Sequence, residues 1–213
     1  AIINPKHELY DYCSTMTALS KNIYNAALFR VRNIFTGFNK DSLSDLEQEV
    51  FDEVGLTENT YNCQIRRVIS YNSLEKLMRA NNNPDFFAGL PMQSSQAMVK
   101  KATTDFKNWL ASLKHFKVNP TLFLGKPGMP HYIKSDKTTA YITNQDAVYK
   151  NAELKLPLIK KRLPLPNVPE NAALKEVKIK PYYNEFIILC TFETPDVPIN
   201  TEHTHVASID FGI

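Results

Sequence analysis

The sequence predicts an α+β protein in which a helical domain is inserted in a small antiparallel β-barrel. Three observations predict it. Through most of the first 116 positions, apolar residues recur at three- and four-residue steps, the period of an amphipathic helix. Past residue 116, prolines and glycines separate short β-rich runs, the pattern of strands and turns. An apolar pair, Ile2-Ile3, precedes the helices. Read as the end of a first strand, it makes the helices an insertion after that strand. Strand order itself is not set by these patterns.

The elements follow in order. After Pro5, a long helix is predicted through Leu9, Cys13, Met16, Leu19, Ile23, Ala27, Val31 and Phe35, ending at Gly37. Asp41 or Ser42 is placed to cap a short acidic helix running through Val54 and closed by Gly55, because a short oxygen side chain satisfies free helix N–H groups. Thr57 or Asn59 opens a third helix, with a break near Ser70-Tyr71-Asn72. Asn81-Asn82-Asn83-Pro84 is a turn cluster. Pro91 suits the first turn of a fourth helix, which runs to about Phe116. In the second half, strands are predicted over residues 140–143, 152–156 and 158–161. Residues 177–180 and 185–192 form a hairpin about Tyr183-Asn184. Three prolines make residues 163–169 an extended connector. Residues 195–204 read as a linker and 206–209 as a further strand.

Composition is that of an ordinary folded domain, with 43% hydrophobic and 22% charged residues and a net charge of +3. The charge is unevenly spread. Residues 41–58 hold seven acidic residues and no Lys or Arg, whereas residues 98–137 hold eight lysines against Asp105 and Asp136. A basic stretch of that length suits a polyanion; a solvated helix face is the simpler use of it. Cys13, Cys63 and Cys190 lie far apart with no C-x-x-C, which argues against a disulfide framework or zinc site and for buried reduced thiols. No apolar run reaches the ~18 residues of a membrane span, and no signal peptide opens the chain, so no membrane partner is expected.

Four segments could carry chemistry. Residues 206–213 read Val-Ala-Ser-Ile-Asp-Phe-Gly-Ile. An apolar strand that delivers Asp210 beside a glycine is how RNase H-like nucleases present their first metal ligand, since ions that stabilise attacking and leaving oxygens need carboxylates on rigid strands. A strand-to-turn aspartate is the commoner use of this pattern. Asp-Phe-Gly is also a protein-kinase tripeptide, but no Gly-rich loop, strand lysine or His-Arg-Asp precedes it. On the fourth helix Gln93, Gln96 and Lys100 share one face. Glutamine can pair bidentately with adenine and lysine can contact phosphate or guanine; a polar outer helix face has the same composition. Phe106, Trp109, Leu110 and Leu113 are assigned to the core. Tyr141-Ile142-Thr143-Asn144-Gln145, after Lys137-Thr138-Thr139, carries hydroxyl and amide groups at a strand end that could reach base edges or sugar; equally, it could be a plain strand end and turn. Lys126-Pro127-Gly128-Met129-Pro130-His131-Tyr132 combines basic and aromatic side chains on a Pro-rich loop, suited to phosphate and stacking contacts; equally, it could be a loop pinned on the barrel. His203 and His205 do not cluster with Cys at ligand spacing.

In order along nearly the whole chain, these segments resemble TnpB, the insertion-sequence-encoded protein related to the type V CRISPR effectors. The matching segments are Leu19-Ser20-Lys21-Asn22-Ile23-Tyr24-Asn25-Ala26-Ala27; Ser70-Tyr71 with Leu74 and Leu77; Leu90-Pro91 with Gln93 and Gln96, then Phe106-Lys107-Asn108-Trp109-Leu110; the loop from Lys126 to Tyr132; Leu154-Lys155-Leu156-Pro157; and Ile209-Asp210-Phe211-Gly212-Ile213, similar to the first RuvC motif. The resemblance implies an RNA-guided DNA endonuclease. A helical recognition domain (7–116) would sit in an oligonucleotide-binding-like wedge barrel (1–6 and 117–200). A linker and first strand of an RNase H-like RuvC domain (201–213) would follow.

The implied partners are guide RNA, target DNA and the missing C-terminal nuclease half. By motif position Tyr71, Gln96, Thr143 and Asn144 lie near the target-flanking duplex, with Gln93, Lys100, Lys107, Lys126 and Tyr132 as further nucleic-acid contacts. Met92 stands where some relatives carry a basic residue, so the flanking motif does not transfer. Asp210 is the implied catalytic residue and a ligand for Mg2+, whose other carboxylates lie outside these 213 residues. These residues alone are expected to bind nucleic acid without cutting it, in a cytoplasmic, nucleoid-associated protein. Two other readings share the sequence: a nuclease-dead RNA-guided regulator, and a guide-independent single-strand-binding barrel.

Overall fold

The computed structural model describes residues 1–195. Strand β1 (Ile2–Ile3) is followed by four helices, α1 (Tyr10–Gly37), α2 (Asp45–Tyr61), α3 (Tyr71–Ala80) and α4 (Met92–Val118). Strands β2 (Ala140–Thr143), β3 (Val148–Lys150), β4 (Glu153–Lys155), β5 (Arg162–Pro164), β6 (Ala173–Tyr182) and β7 (Glu185–Glu193) come after them. The described residues therefore form an α+β protein with two small antiparallel sheets, ordered β1-β7-β6-β2 and β3-β4-β5. Neither sheet closes on itself, so the described strands are two open sheets rather than a closed barrel. Ile2 and Ile3 pair with Ile187 and Phe186 of β7. All four helices thus lie in the chain between two hydrogen-bonded neighbours of one sheet. The linker expected beyond Pro195, the strand over 206–209, and Asp210 lie outside the described residues.

α1 forms where the apolar period demanded it and buries Cys13, Met16, Ile23, Ala27, Val31 and Ile34 on one face. Its last residue, Gly37, is glycine for a packing reason. A Cβ there would stand 2.8 Å from Phe51 Cε2 and 3.0 Å from Leu43 Cδ2, so the absent side chain lets α2 approach.

α2 departs from expectation at both ends. Its cap is Ser44, not Asp41 or Ser42, and Ser44 forms a reciprocal capping box with Glu47. Gly55 sits inside the helix, which continues because Val50, Val54 and Thr57 prolong its buried face. One interior glycine costs about 1 kcal/mol, less than that burial returns. Thr57, expected to open the next helix, is instead buried here and donates to Glu53 O at 2.7 Å. Asn62, at φ 45°, ends α2, since asparagine tolerates the left-handed conformation. The expected break near residue 70 is the start of α3, with Ser70 as its cap.

Glu47 concentrates the electrostatics of this corner. Its buried carboxylate accepts from Lys40 Nζ at 2.7 and 2.9 Å, Thr36 Oγ1 at 2.8 Å and Ser44 N at 3.1 Å. The lysine bonds, then the Ser44 amide and Thr36 hydroxyl, hold its pKa down from the ordinary 4.5 to about 2. A depressed folded-state pKa contributes stability that is whole above the unfolded value and is lost as pH falls towards the folded one. Between pH 4.5 and about 2, Glu47→Gln is therefore expected to flatten the fall in urea midpoint that the native protein shows. Parallel pH profiles of the two proteins in that window would remove this assignment.

Of the strands, β2 and the β6–β7 hairpin occupy the predicted segments. Residues 158–161 are not a strand: Leu158 adopts φ 66° in the connection between β4 and β5. β5 starts at Arg162 and runs into the expected connector, and β3 was not expected at all. One buried cluster runs from the helices into both sheets, joining residues such as Ile23, Leu77 and Phe106 to Ile142, Leu154, Val177 and Phe186. Of the three free thiols only Cys13 is fully buried, and burial pushes it up to about 12.

Candidate nucleic-acid interface

Tyr71, Glu75 and Arg79 recur at four-residue steps along α3 and so share its face. Gln96, in the second turn of α4, crosses to meet them. Its Nε2 donates to Glu75 Oε1 at 2.7 Å, and Arg79 Nε donates to the same oxygen at 2.9 Å. Burial, then the Glu75 carboxylate, raises the Tyr71 phenol above its ordinary value. Two residues singled out separately in the sequence thus meet through a third that was not. The bond to Glu75 uses one amide proton of Gln96. Its carbonyl oxygen and second N–H remain for the bidentate pattern that reads adenine.

The other polar groups of α4 point elsewhere. Gln93 is half-buried, and Lys100 is exposed beside a shallow cleft between α4 and the sheet, which Tyr141 and Glu176 also line. Lys107, with Lys114 and Lys117, rims a groove floored by Phe35, Val68, Leu110 and Leu113. Of the four residues assigned to the core, Phe106 is fully buried, whereas Leu110 and Leu113 line this groove. Arg67 covers the Phe35 ring at 4.4 Å.

The loop over 126–133 is pinned, and its anchors are helices rather than a barrel. Trp109 Nε1 donates to Pro127 O at 3.1 Å, and Arg32 Nη1 to Pro130 O at 3.2 Å. Asn25 both donates to Ile133 O (3.0 Å) and accepts from Ile133 N (2.9 Å). Arg32 also lies over the Tyr132 ring, 4.9 Å from its centroid, adding a cation to the aromatic platform. Lys126 is exposed at the start of the loop. No motif pointed to Arg32, and Asn25 stood only within the Tyr24-Asn25 segment of the resemblance, with no role assigned to it. Their partners lie about a hundred positions away, so only pairing across the fold could reveal them.

At the end of β2, Asn144 is exposed, but the Thr143 hydroxyl is buried without a hydrogen-bond partner among the described residues. The Thr143 carbonyl accepts from Asp146 N (3.1 Å) and Ala147 N (3.0 Å). Thr143 therefore shapes the turn that presents Asn144, and its hydroxyl does not face solvent. Asp210 lies outside the described residues. Among those residues, no group of three His, Cys, Asp or Glu is placed to hold a metal ion, and no helix is long and apolar enough to cross a membrane.

Against known proteins, no family model matches the chain, and no curated protein matches it.

Proposed function

We propose that this chain is the nucleic-acid-binding part of an RNA-guided DNA endonuclease. The pairing of β1 with β7 carries the reading. It makes the helices an insertion between neighbouring strands, the organisation that the resemblance to TnpB implies for a recognition domain set in an oligonucleotide-binding wedge. Two further features support it: the Tyr71–Glu75–Gln96 cluster across α3 and α4, and the exposed Lys100, Lys107 and Lys126. On this reading the helices and sheets grip guide RNA paired to target DNA, and the helical cluster meets the flanking duplex. Asp210 would share Mg2+ with two carboxylates of a RuvC domain beyond this chain. The whole protein would work in the cytoplasm, on the nucleoid.

The test is plasmid cleavage by the longest natural reading frame with its guide RNA, with and without Asp210→Ala. Loss of cutting on substitution supports the proposal. Guide-dependent binding without cutting in the unaltered protein points to a regulator instead, and cutting that ignores Asp210 ends the proposal. Binding has its own signature. Each of Lys100→Ala, Lys107→Ala and Lys126→Ala is expected to lower the slope of log affinity against log salt by about 1.

A further inference from the structure

We propose that the tip of the β6–β7 hairpin, with the facing segment 135–139, is a docking site for a phosphorylated nucleotide. It stacks the base on Tyr183 and holds the phosphate with Lys137 and Lys180. This rests on the nucleic-acid reading above and adds to it a second site, in which the wall ending the basic stretch 98–137 meets a hairpin tip that no sequence motif marked.

Tyr183 is the starting point. It is 94% exposed and sits at φ 49°, at the first position of a two-residue hairpin loop. Hairpin loops that need a left-handed residue there favour glycine, and a bulky side chain in that conformation is an outlier. A solvent-exposed ring gains nothing from burial either. Neither property helps the hairpin form, and both suit a platform held out for a base.

The platform is also fixed in place. Tyr182 meets the Tyr183 ring edge-on at 4.8 Å. Tyr10 Oη donates to Asn184 Oδ1 at 3.1 Å, and the Tyr10 ring packs edge-on against Phe186 at 5.2 Å. The hairpin tip is thereby tied to the start of α1.

Across a cleft of about 460 Å³ stands the opposite wall, a size that suits a small ligand. Its Ser135, Lys137, Thr138 and Thr139 face Lys180 and Tyr183. That wall is ordered too: Thr138 N donates to Thr17 O at 3.1 Å, and Ser135 Oγ to Lys137 O at 2.9 Å. Lys137 Nζ rests over the Phe186 ring at 5.2 Å. Lys137, Lys180, Thr138 and Thr139 all line the cleft, and ammonium and hydroxyl side chains are the kinds that give a phosphate charge-assisted donors. Asp136, also in the lining, is outnumbered by the two lysines. A terminal phosphate, with its higher charge, gains more from this arrangement than an internal diester.

The phosphate and base could belong to a strand end or to a free nucleotide, and one experiment separates them. A 3′-fluorescein octathymidylate is titrated with the 213-residue chain by fluorescence anisotropy, as its 5′-phosphate and as its 5′-hydroxyl form, and thymidine monophosphate is added as competitor. The phosphorylated form is expected to bind several-fold more tightly. Lys137→Ala with Lys180→Ala should erase that preference. Tyr183→Gly should weaken binding about tenfold or more, while its melting temperature holds or rises because glycine accepts the left-handed backbone. A merely structural tyrosine would behave the opposite way. Displacement by the mononucleotide at matching concentration assigns the site to free nucleotides; failure to displace assigns it to strand ends. Unchanged affinity in Tyr183→Gly, or no phosphate preference in the native chain, overturns the proposal. An RNA–DNA hybrid is titrated in parallel. If the hybrid binds while the tip variants have no effect, only this inference falls; if neither ligand binds, the functional reading falls with it.

Discussion

Phe106→Ala is expected to destabilise the protein by about 3–5 kcal/mol, the range for truncating a buried phenylalanine whose surroundings cannot collapse. Phe106 is fully buried and meets two other rings edge-on, Phe35 at 5.1 Å and Trp109 at 5.0 Å. Phe35 and Trp109 also meet each other, at 5.7 Å. The three rings join the C-terminal turns of α1 to the middle of α4. Each such pair is worth about 0.5–1.5 kcal/mol beyond the area it buries. Trp109 also donates to Pro127 O, so a loosened indole slackens the loop that carries Lys126 and Tyr132. Urea unfolding at 25 °C measures the loss, and Phe106→Leu should recover most of it. If the chain binds nucleic acid as proposed, the Ala variant binds it more weakly at temperatures where it is still folded. A loss below about 1 kcal/mol would mean that this cluster is not the joint between the two helices.

The second large effect is expected from Glu53→Ala, at about 3 kcal/mol. Arg30 is buried on α1, with its side chain only 9% exposed. It donates through Nε to Glu53 Oε2 at 2.7 Å and through Nη2 to Oε1, while Nη1 bonds to Ala26 O at 3.0 Å. Removing the carboxylate strands a guanidinium in the protein interior, and that desolvation cost dominates. Glu53 is itself slightly exposed, which places the effect at the lower end of the range for buried pairs. The same argument predicts that Arg30→Met with Glu53→Leu is more stable than Glu53→Ala alone, because no charge is left without a partner. If the double variant is the less stable of the two in urea, the ion pair is a net source of stability.

How far the sequence could be read depended on the reach of each interaction. α1 and α4 were legible because their apolar faces repeat many times within one segment, and each repeat adds to the same signal. The β6–β7 hairpin was legible for a similar reason, two β-rich runs about a two-residue turn. The start of α2 carried a signal that the reading passed over: of the capable caps Asp41, Ser42 and Ser44, only Ser44 is followed three positions later by a glutamate, Glu47, the spacing of a capping box. β3 and β5, of three residues each, are too short to show a period.

The candidate site divides in the same way. Tyr71, Gln96 and Tyr132 were recognisable by type and position. The groups that give them their settings, Glu75 for the first two and Arg32 for the third, were silent in the sequence. Thr143 shows the limit most clearly: its place in the chain suggested an outward hydroxyl, and the fold turned it inward.

By itself, then, the order of residues determined where α1, α4 and the hairpin form, because those depend on neighbours a few positions away. The tertiary structure alone decided that Ile2–Ile3 pairs with β7, which carboxylate holds Arg30, and which side of each polar residue meets water. Those outcomes depend on groups from about twenty to nearly two hundred positions apart, brought together only when burial of the shared core offsets the entropy of closing such long loops.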